Sequence, residues 1–492
     1  MLKQFKAQKI VLGSPQREVY FDQLLDDKNT SYNIGSFVAI KGDLNVERFK
    51  DIIEKSNESF DLFRMGAISE NEPSFNLYSS PRKIEVIEPD FCLEDRNVNF
   101  IKKWLKERIE VPFDIYSGIF YEVLLVRISK DENWLYFGCH HLFSDGYSIP
   151  FVFFKYLFDK YSNKDQFADF HFPSYIDAIQ DSQGYQQSKD FRLDLDYWNE
   201  RFMVSQEPIL KKRLDSTSYC AKSVLIHFDS AKQKLLRSFC NTISISLQDL
   251  LIAALAVYYN YTCNIDYFDF SIPIHNRSNR NERKTFGMFS KLLPCRILID
   301  NPTVGELLKL IKSQQRKDYR HKLFPVSEFN RAILEGKNNL SRPFDICINY
   351  RFFRLETVEC DLELKGYKND SSHSKIPLEF SWLDFGENGN ESLVLELSYL
   401  QEMFSKKEIT VIADSLVSIM EKFSDSIDKN INEVSFISNE DKQELLETFN
   451  DTKVDYPSDK TIVDLFESQV LKTPDNVAVV FEGTELTYRD LE

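Results

Sequence analysis

The stretch CHHLFSDG at residues 139–146 lies between two segments that have different hydrophobic periods. Before it, Phe120–Ile128 and Trp134–Gly138 are rich in the β-branched and aromatic residues that favour buried strands. After it, Ser148 is a predicted helix N-cap with a proline in the first turn, and the helix pattern continues through Phe151–Tyr161. The pattern therefore predicts a strand-to-helix turn, a place where a rigid frame presents functional side chains.

Strand and helix patterns alternate on both sides of this turn. Val46–Glu58 has the spacing of an amphipathic helix, and after Ser223 the alternation restarts with a strand, two helices and a strand that ends at Ile274. We therefore predict an α/β (α+β) fold in two halves of similar size, residues 1–180 and 181–440.

The last fifty residues have a different character. Residues 441–460 include the polar stretch NDTKVDYPSD and are predicted to be a linker. Thr461–Val470 is a predicted helix and Val477–Phe481 a predicted strand, but residues 461–492 are too few to bury a core of their own. We expect this segment to be a docking appendage or the start of a further domain.

The composition excludes several classes of function. The 77 acidic and 61 basic residues give a formal net charge of −16, which repels nucleic acids and anionic lipids. The 15 glycines form no G-x-G, so the chain lacks the dinucleotide-binding fingerprint, and it also lacks a phosphate-binding P-loop. The longest apolar run, Leu250–Tyr259, is too short to cross a bilayer and predicts a buried core helix. Dispersed cysteines and an N-terminus without an apolar signal segment predict a cytoplasmic protein.

The adjacent histidines of the central stretch are the main candidates for chemistry. A neutral imidazole can accept a proton near pH 7, and Asp145 could orient a ring or hold the turn. The alternative is a histidine pair that only satisfies hydrogen bonds in an ordinary turn. A metal site is not expected, because neighbouring strand residues point to opposite faces and His140 and His141 would not face one ion.

His140-His141-Leu142-Phe143-Ser144-Asp145-Gly146 matches the HHxxxDG signature of condensation domains of nonribosomal peptide synthetases. Further segments resemble other blocks of that family in the same order and extend the resemblance over about residues 10–440. The second block departs from the family, since Asn57-Glu58 stands near the place of its usual Arg-His pair. The resembling segments are Ser14–Arg17, Phe60–Arg64, Tyr175–Ala178, Phe286–Phe289 and His321–Pro325.

The resemblance implies two chloramphenicol-acetyltransferase-like lobes that form a V-shaped pseudo-dimer with a tunnel between them. A donor acyl thioester and an aminoacyl thioester would meet there, and the amine would attack the donor carbonyl to form an amide. The family pattern implies His141 as the catalytic histidine beside His140, Asp145 as a structural residue paired with Arg277, and Gly146 as a position that keeps the tunnel open. The further tunnel candidates are Tyr147, Ser148 and Asn349.

The resemblance also implies the partners. No cofactor is expected on this chain, because 4′-phosphopantetheine thioesters would arrive on donor and acceptor carrier domains. Segments of the tail such as Thr473-Pro474-Asp475 and Leu486-Thr487-Tyr488 are similar to the first block of an adenylation domain, which we expect in the same full-length protein. Epimerisation domains share the HHxxxDG signature but are usually not followed by an adenylation domain. Heterocyclisation domains carry D-x-x-x-x-D in place of the histidine pair, which this chain retains.

The type of donor and two other functions remain open. Tyr147-Ser148, Gly287-Met288 and Leu292-Leu293-Pro294 resemble starter-type domains, which accept an aryl or fatty acyl group, more than elongating ones. With the opening block in the first twenty residues, we expect the first domain of its protein if Met1 is the native start. One alternative is a CoA-dependent HxxxD-type acyltransferase, whose second motif resembles Asp384-Phe385-Gly386, although Glu387 replaces its tryptophan. The other is a non-catalytic condensation-like domain that recruits a partner.

Overall fold

The computed structural model describes residues 8–26, 28–89, 97–162, 172–204, 209–210, 219–325, 328, 344–352, 362–370, 372–386, 393–434, 442–455 and 457–492. Contacts divide the chain into two compact units, Met1–Phe436 and Ile437–Glu492. Glu387 and Tyr456, which belong to sequence motifs noted above, lie outside the described residues.

The helices are α1 (Ser14–Gln23), α2 (Val46–Lys55), α3 (Val98–Ile109), α4 (Lys155–Tyr161), α5 (Tyr175–Tyr185), α6 (Lys189–Arg201), α7 (Ser230–Thr242), α8 (Leu247–Cys263), α9 (Val304–Arg320), α10 (Lys406–Phe423), α11 (Ile462–Lys472) and α12 (Tyr488–Leu491). The strands are β1 (Gln8–Val11), β2 (Asn33–Lys41), β3 (Met65–Ile68), β4 (Ser74–Leu77), β5 (Val86–Ile87), β6 (Tyr121–Arg127), β7 (Glu132–His140), β8 (Ala221–His227), β9 (Tyr267–Ile274), β10 (Lys291–Leu298), β11 (Ile346–Phe352), β12 (Glu363–Asp370), β13 (Leu378–Asp384), β14 (Leu393–Leu400), β15 (Val477–Phe481) and β16 (Thr484–Thr487).

The first half is built on a five-stranded sheet with the order β12-β2-β7-β6-β5. β7 lies in its middle and is buried from Asn133 to His140 because both faces of the sheet are covered. Leu135 and Phe137 pack in the larger core, which includes side chains of α1, α2 and α4, whereas Trp134 and Tyr136 pack against α3 on the other face. This arrangement fixes the end of β7, where the paired histidines begin.

The edge strand β12 comes from the second half of the sequence. It pairs antiparallel with β2 from Glu363–Lys41 to Asp370–Ile34. The sequence pattern predicts a strand at 359–365, but the observed strand runs from 363 to 370, and residues 353–361 lie outside the described part. One strand of the predicted second half therefore completes the sheet of the first half.

The second half contains a six-stranded sheet with the order β10-β9-β11-β13-β14-β8. Its core surrounds α8, whose residues Leu250–Val257 are all fully buried, so the predicted core helix is confirmed. Among the described residues, no single helix is long and apolar enough to cross a membrane. α7 and α8 pass that test only as a pair bent by 95°, on length and composition alone.

The connection between β9 and β10 joins the two halves. Phe286 follows β9 in sequence, yet its side chain is 1% exposed and packs in the core of the first half. Its ring stacks on Phe63 at a centroid distance of 5.7 Å. This connection also carries the backbone that surrounds Asp145, as described below.

The smaller unit contains α11, α12 and the hairpin of β15 and β16. The predicted strand Val477–Phe481 is observed with the same bounds. Glu482 and Gly483 both have positive φ (49° and 80°), which suits a tight hairpin turn. Apolar side chains of this unit are strongly exposed, with Ile462 and Leu471 both at 86%, because so short a segment cannot enclose a core.

Candidate active site

The end of β7 places the two histidines on opposite sides of the chain. The His140 N–H donates to Phe120 O (2.8 Å) and the His141 N–H to Tyr32 O (2.8 Å). His140 is 2% exposed, whereas His141 is only partly buried. The two rings therefore differ in exposure, although both lie within 6.5 Å of the Tyr32 ring.

The contacts of His140 define one neutral tautomer. Gln23 Nε2 donates to the carbonyls of Asp26 (3.0 Å) and Asn29 (3.2 Å), so its Oε1 accepts from His140 Nε2 (3.2 Å). The other ring nitrogen, Nδ1, accepts from Leu142 N–H (3.2 Å). Burial, with a smaller contribution from His141, lowers the pKa of His140 to about 3. His140 is thus a neutral residue with both ring nitrogens occupied.

The ring of His141 lies closer to solvent and contacts the second half of the chain. Its Nδ1 lies 3.3 Å from Met288 Sδ, and the Tyr32 ring is nearly perpendicular to it (86°) at a centroid distance of 6.5 Å. Burial lowers the pKa of His141, while Asp145 and backbone hydrogen bonds at Ser144 and at His141 itself act in the opposite direction. The imidazole is therefore neutral at pH 7.

Asp145 forms a buried ion pair with Arg277, and both side chains are 0% exposed. Arg277 Nη1 and Nη2 donate to the two carboxylate oxygens at 2.8 and 3.2 Å. The backbone N–H groups of Ser148, Phe289 and Ser290 also donate to the carboxylate, at 2.8, 2.9 and 3.1 Å. Although burial acts to raise it, the pKa of Asp145 is lowered, chiefly because Arg277 lies beside it. The pairing expected from the sequence is confirmed.

Arg277 is positioned by a left-handed residue at the end of β9. Asn276 has φ 50°, which turns the chain and directs Arg277 toward the first half. The guanidinium carbon lies 4.5 Å from the Tyr147 ring centroid and 4.4 Å from that of Phe289. Its Nη2 also donates to Ser148 Oγ (2.6 Å). The guanidinium therefore links the turn after β7 to the connection between β9 and β10.

The predicted helix start is confirmed at Ser148, with Pro150 in the first turn, but the expected side-chain cap is absent. Ser148 has helical φ/ψ values, and its side chain does not cap the helix. Its hydroxyl instead donates to Gly287 O (2.8 Å), because the neighbouring connection of the second half offers an acceptor. The chain then forms a wide π-type turn over Ile149–Phe154 before α4 begins at Lys155.

Gly287 and Gly146 differ in the space that their surroundings leave for a side chain. A Cβ added at Gly287 would lie 2.2 Å from Tyr175 Cδ2, so the packed ring leaves no space for a side chain. A Cβ added at Gly146 would meet no atom within 4 Å. The sequence marks Gly287 and Met288 only as parts of a family block and as starter-type details. Their contacts with Tyr175 and His141, more than 100 positions away, are not contained in the local pattern.

Asn349 belongs to a different cluster from the other predicted site residues. It lies on β11, and its Nδ2 donates to Glu379 Oε1 (3.2 Å), which also accepts from Arg351 Nη2 (2.6 Å). The described residues show no hydrogen bond between Asn349 and the turn after β7. His140, His141, Asp145–Ser148 and Arg277 do come together.

The Asp-Phe-Gly triplet lies in a structural part of the molecule. Asp384 of the Asp-Phe-Gly triplet is buried and accepts from Arg237 Nη2 (2.9 Å) and Gly386 N–H (2.9 Å), which makes it part of a structural ion pair.

Among the described residues, no group of three or more His, Cys, Asp or Glu side chains is arranged to hold a metal ion.

The comparison with known families explains this arrangement. The condensation domain family matches residues 6–446. The chain belongs to this family. Condensation domains of nonribosomal peptide synthetases form amide bonds between substrates that are bound to phosphopantetheine carriers, and they work beside carrier and adenylation domains in multidomain enzymes.

Curated relatives are much longer than this chain. A plipastatin synthase of Bacillus subtilis (strain 168) is 25% identical over 493 residues, which cover 98% of this chain and 19% of the relative. Bacitracin synthase 3 of Bacillus licheniformis is 26% identical over 500 residues, covering 98% of this chain and 8% of the relative. The chain thus spans less than a fifth of the length of these proteins.

Solved structures establish the two-lobed, chloramphenicol-acetyltransferase-like fold. The first condensation domain of the calcium-dependent antibiotic synthetase superposes with a TM-score of 0.73 at 15% identity, covering 88% of this chain and 99% of that domain. A starter condensation domain of rhizomide synthetase in complex with C8-CoA gives 0.74 at 15% identity, with 88% and 98% covered. A four-domain nonribosomal peptide synthetase bound to AMP and glycine gives 0.77 at 16% identity, with 100% and 38% covered.

Proposed function

We propose that this chain joins a carrier-bound donor acyl group to the amine of a carrier-bound aminoacyl thioester. The observation that carries the proposal is His141, a neutral and partly exposed imidazole at the end of a rigid strand. Its Nδ1 faces Met288, which leaves Nε2 for the substrate. The acceptor nitrogen attacks the donor carbonyl carbon, Nε2 accepts the proton from that nitrogen, and the carrier thiol leaves.

The residues around His141, namely Asp145, Arg277 and His140, are assigned structural roles. Asp145 and Arg277 saturate each other and the surrounding backbone, so neither is available to a substrate. His140 has both ring nitrogens occupied and serves as a structural residue. A single general base contributes about 10²–10⁴-fold to the rate, so the alignment of the two thioesters by the lobes must supply much of the remainder.

Gly146 is proposed to keep space for the substrates. It is exposed beside the buried Asp145, and no protein atom lies where its side chain would begin. The tunnel between the lobes implied by the family would pass this position, with the partly exposed Tyr147 at its wall. Ser148 was also expected there, but it is 0% exposed and its hydroxyl is bonded to Gly287 and Arg277, so we assign it a structural role. Because Asn349 donates to Glu379 on a neighbouring strand, we assign it a structural role and not a place in the tunnel wall.

We further propose a starter-type donor, an aryl or fatty acyl group. The support comes from the sequence details at Tyr147-Ser148 and Gly287-Met288 and from the likeness to a starter domain crystallised with C8-CoA. The alternative is an elongating domain that accepts a peptidyl donor. Offering octanoyl-, benzoyl- and dipeptidyl-carriers in equal amounts would decide, since the starter assignment requires that the dipeptidyl product is not the major one.

The smaller unit is proposed to be the beginning of an adenylation domain in the full-length protein. Its exposed apolar side chains, among them Phe481 at 70%, require a covering that residues 437–492 do not provide. The four-domain synthetase that matches the whole chain is consistent with this assignment.

The decisive experiment supplies an acyl-carrier donor and an aminoacyl-carrier acceptor and measures amide on the acceptor carrier by intact mass. We expect product with the wild type, a loss of at least ~100-fold with His141→Ala, and no change with His227→Ala. His227 is a suitable control because it is exposed on β8. No product from the wild type would favour a non-catalytic domain, and product from acyl-CoA without a donor carrier would favour the CoA-dependent alternative.

A further inference from the structure

A second group of reactive side chains lies apart from His141. Cys220, which directly precedes β8, has its Sγ 3.9 Å from His373 Nε2. The other nitrogen of that ring, His373 Nδ1, lies 2.8 Å from Glu110 Oε2 and 3.0 Å from Thr30 Oγ1. A thiol, an imidazole and a carboxylate thus follow one another in the order that activates a nucleophile.

The backbone holds the cysteine and the histidine face to face. They form an antiparallel bridge that is flanked on both sides by hydrogen bonds, from Ala221 N–H to Ser372 O (2.6 Å) and from Ser374 N–H to Tyr219 O (2.8 Å). Residues in such a pair have their Cβ atoms about 4.5–5.5 Å apart on the same face. The main-chain pairing therefore keeps the thiol and the imidazole within reach of each other.

The carboxylate is also held in place. The Ser372 N–H donates to Glu110 Oε1, while Oε2 accepts from Thr30 Oγ1 (3.3 Å) and pairs with the ring of His373. The acidic partner therefore faces Nδ1 and leaves Nε2 directed at the thiol. Cys220 itself is exposed, so a reagent can reach the sulfur.

We propose that Cys220, His373 and Glu110 form a second reactive site, at which Cys220 undergoes exchange with low-molecular-weight disulfides. His373 Nε2 accepts the thiol proton while Cys220 Sγ attacks one sulfur of the reagent. A new disulfide joins Cys220 to that half of the reagent, and the other half leaves as a thiolate. The proton passes from His373 to solvent, and Glu110 stabilises the transient imidazolium. This site is independent of amide formation.

The chain supplies its own control. Cys263 is also an exposed free cysteine, and its Sγ lies 3.6 Å from Thr262 Oγ1, without an imidazole contact among the described residues. The described cysteines Cys139, Cys240, Cys295 and Cys347 are buried. Comparing Cys220 with Cys263 separates the effect of the histidine from that of exposure.

The test uses two variants of the full chain in which Cys92 and Cys360, which lie outside the described residues, are replaced by serine. One also carries Cys263→Ser and the other Cys220→Ser. Each is mixed with 5,5′-dithiobis(2-nitrobenzoate) at pH 7, thiolate release is followed by absorbance, and the modified cysteine is located by peptide mass mapping. We expect Cys220 to react at least ~10-fold faster than Cys263.

In the variant that retains Cys220, adding His373→Gln should reduce the rate to that of Cys263, and adding Glu110→Gln should reduce it in part. A Cys220 to Cys263 rate ratio of three or less would overturn the proposal, as would an unchanged rate in a folded His373→Gln protein. Circular dichroism establishes whether that variant is folded. If the His373→Gln variant does not fold, the ratio of the Cys220 rate to the Cys263 rate is the test of the proposal.

Discussion

The buried pair of Asp145 and Arg277 allows a quantitative test of how the two halves are held together. Both side chains are 0% exposed, and the carboxylate also accepts three backbone N–H groups. Asp145→Asn keeps the shape of the side chain but leaves the guanidinium without a counter-charge. Removing one partner of a buried ion pair costs about 3–5 kcal/mol, so we expect a loss of that size in the free energy of unfolding.

Arg277→Met should cost about 3 kcal/mol or more, because the carboxylate retains its backbone donors but loses its cation. The double variant Asp145→Asn/Arg277→Met should be less destabilised than the sum of the two, with a coupling energy of about 2–3 kcal/mol. The pKa of Asp145 is lowered in the folded state, so its contribution is present above its unfolded-state pKa and is lost as the pH falls through the folded-state pKa. The pair is therefore fully charged at pH 7.5.

Urea unfolding at pH 7.5, followed by tryptophan fluorescence, measures these free energies. Trp134 and Trp382 are buried in the cores of the first and second halves, so the signal reports on both. Asp51→Ala is the control, since Asp51 and its partner Lys55 are 57% and 70% exposed and such pairs contribute about 0.5 kcal/mol or less. Single-variant losses below about 1 kcal/mol, or additive losses in the double variant, would refute the reasoning.

Three further predictions concern the turn and its surroundings. Because the pKa of His141 is lowered, the acidic limb of the rate–pH profile of amide formation should have its midpoint below pH 6.5; a midpoint above 6.5 would contradict the assignment of His141 as the base. The pKa of His140 is about 3 in the folded protein, so the ring stays neutral between pH 6.5 and 5 while the same residue becomes protonated in the unfolded chain. Over this pH range the wild type should therefore lose about 2 kcal/mol more stability than His140→Gln. Equal pH slopes of the two proteins in urea titrations would argue against a buried neutral ring. Gly287→Ala should destabilise by about 3 kcal/mol through the clash with Tyr175, whereas Gly146→Ala should leave the thermal midpoint unchanged and slow amide formation; the opposite ranking of the two midpoints would refute the packing argument.

Much of the local structure could be predicted from the residues alone. The strand period of two predicts opposite directions for His140 and His141, and the uninterrupted apolar run of α8 predicts a helix buried on all sides. The strand at 477–481 has the predicted bounds. These features depend on neighbours within a few positions, which is the range over which periodicity carries information. The pairing of Asp145 with Arg277 was expected only through resemblance to a family.

Tertiary structure decided the features that depend on distant segments meeting. Gly287 needs to be glycine because the Tyr175 ring, from another helix, lies against it. Ser148 does not cap its helix because Gly287 O is nearby, and Cys220 faces His373 because a main-chain bridge aligns them. A strand from the second half completes the sheet of the first. Such contacts depend on which segments pack together, and the spacing of apolar and polar residues along one segment contains no information about its partner.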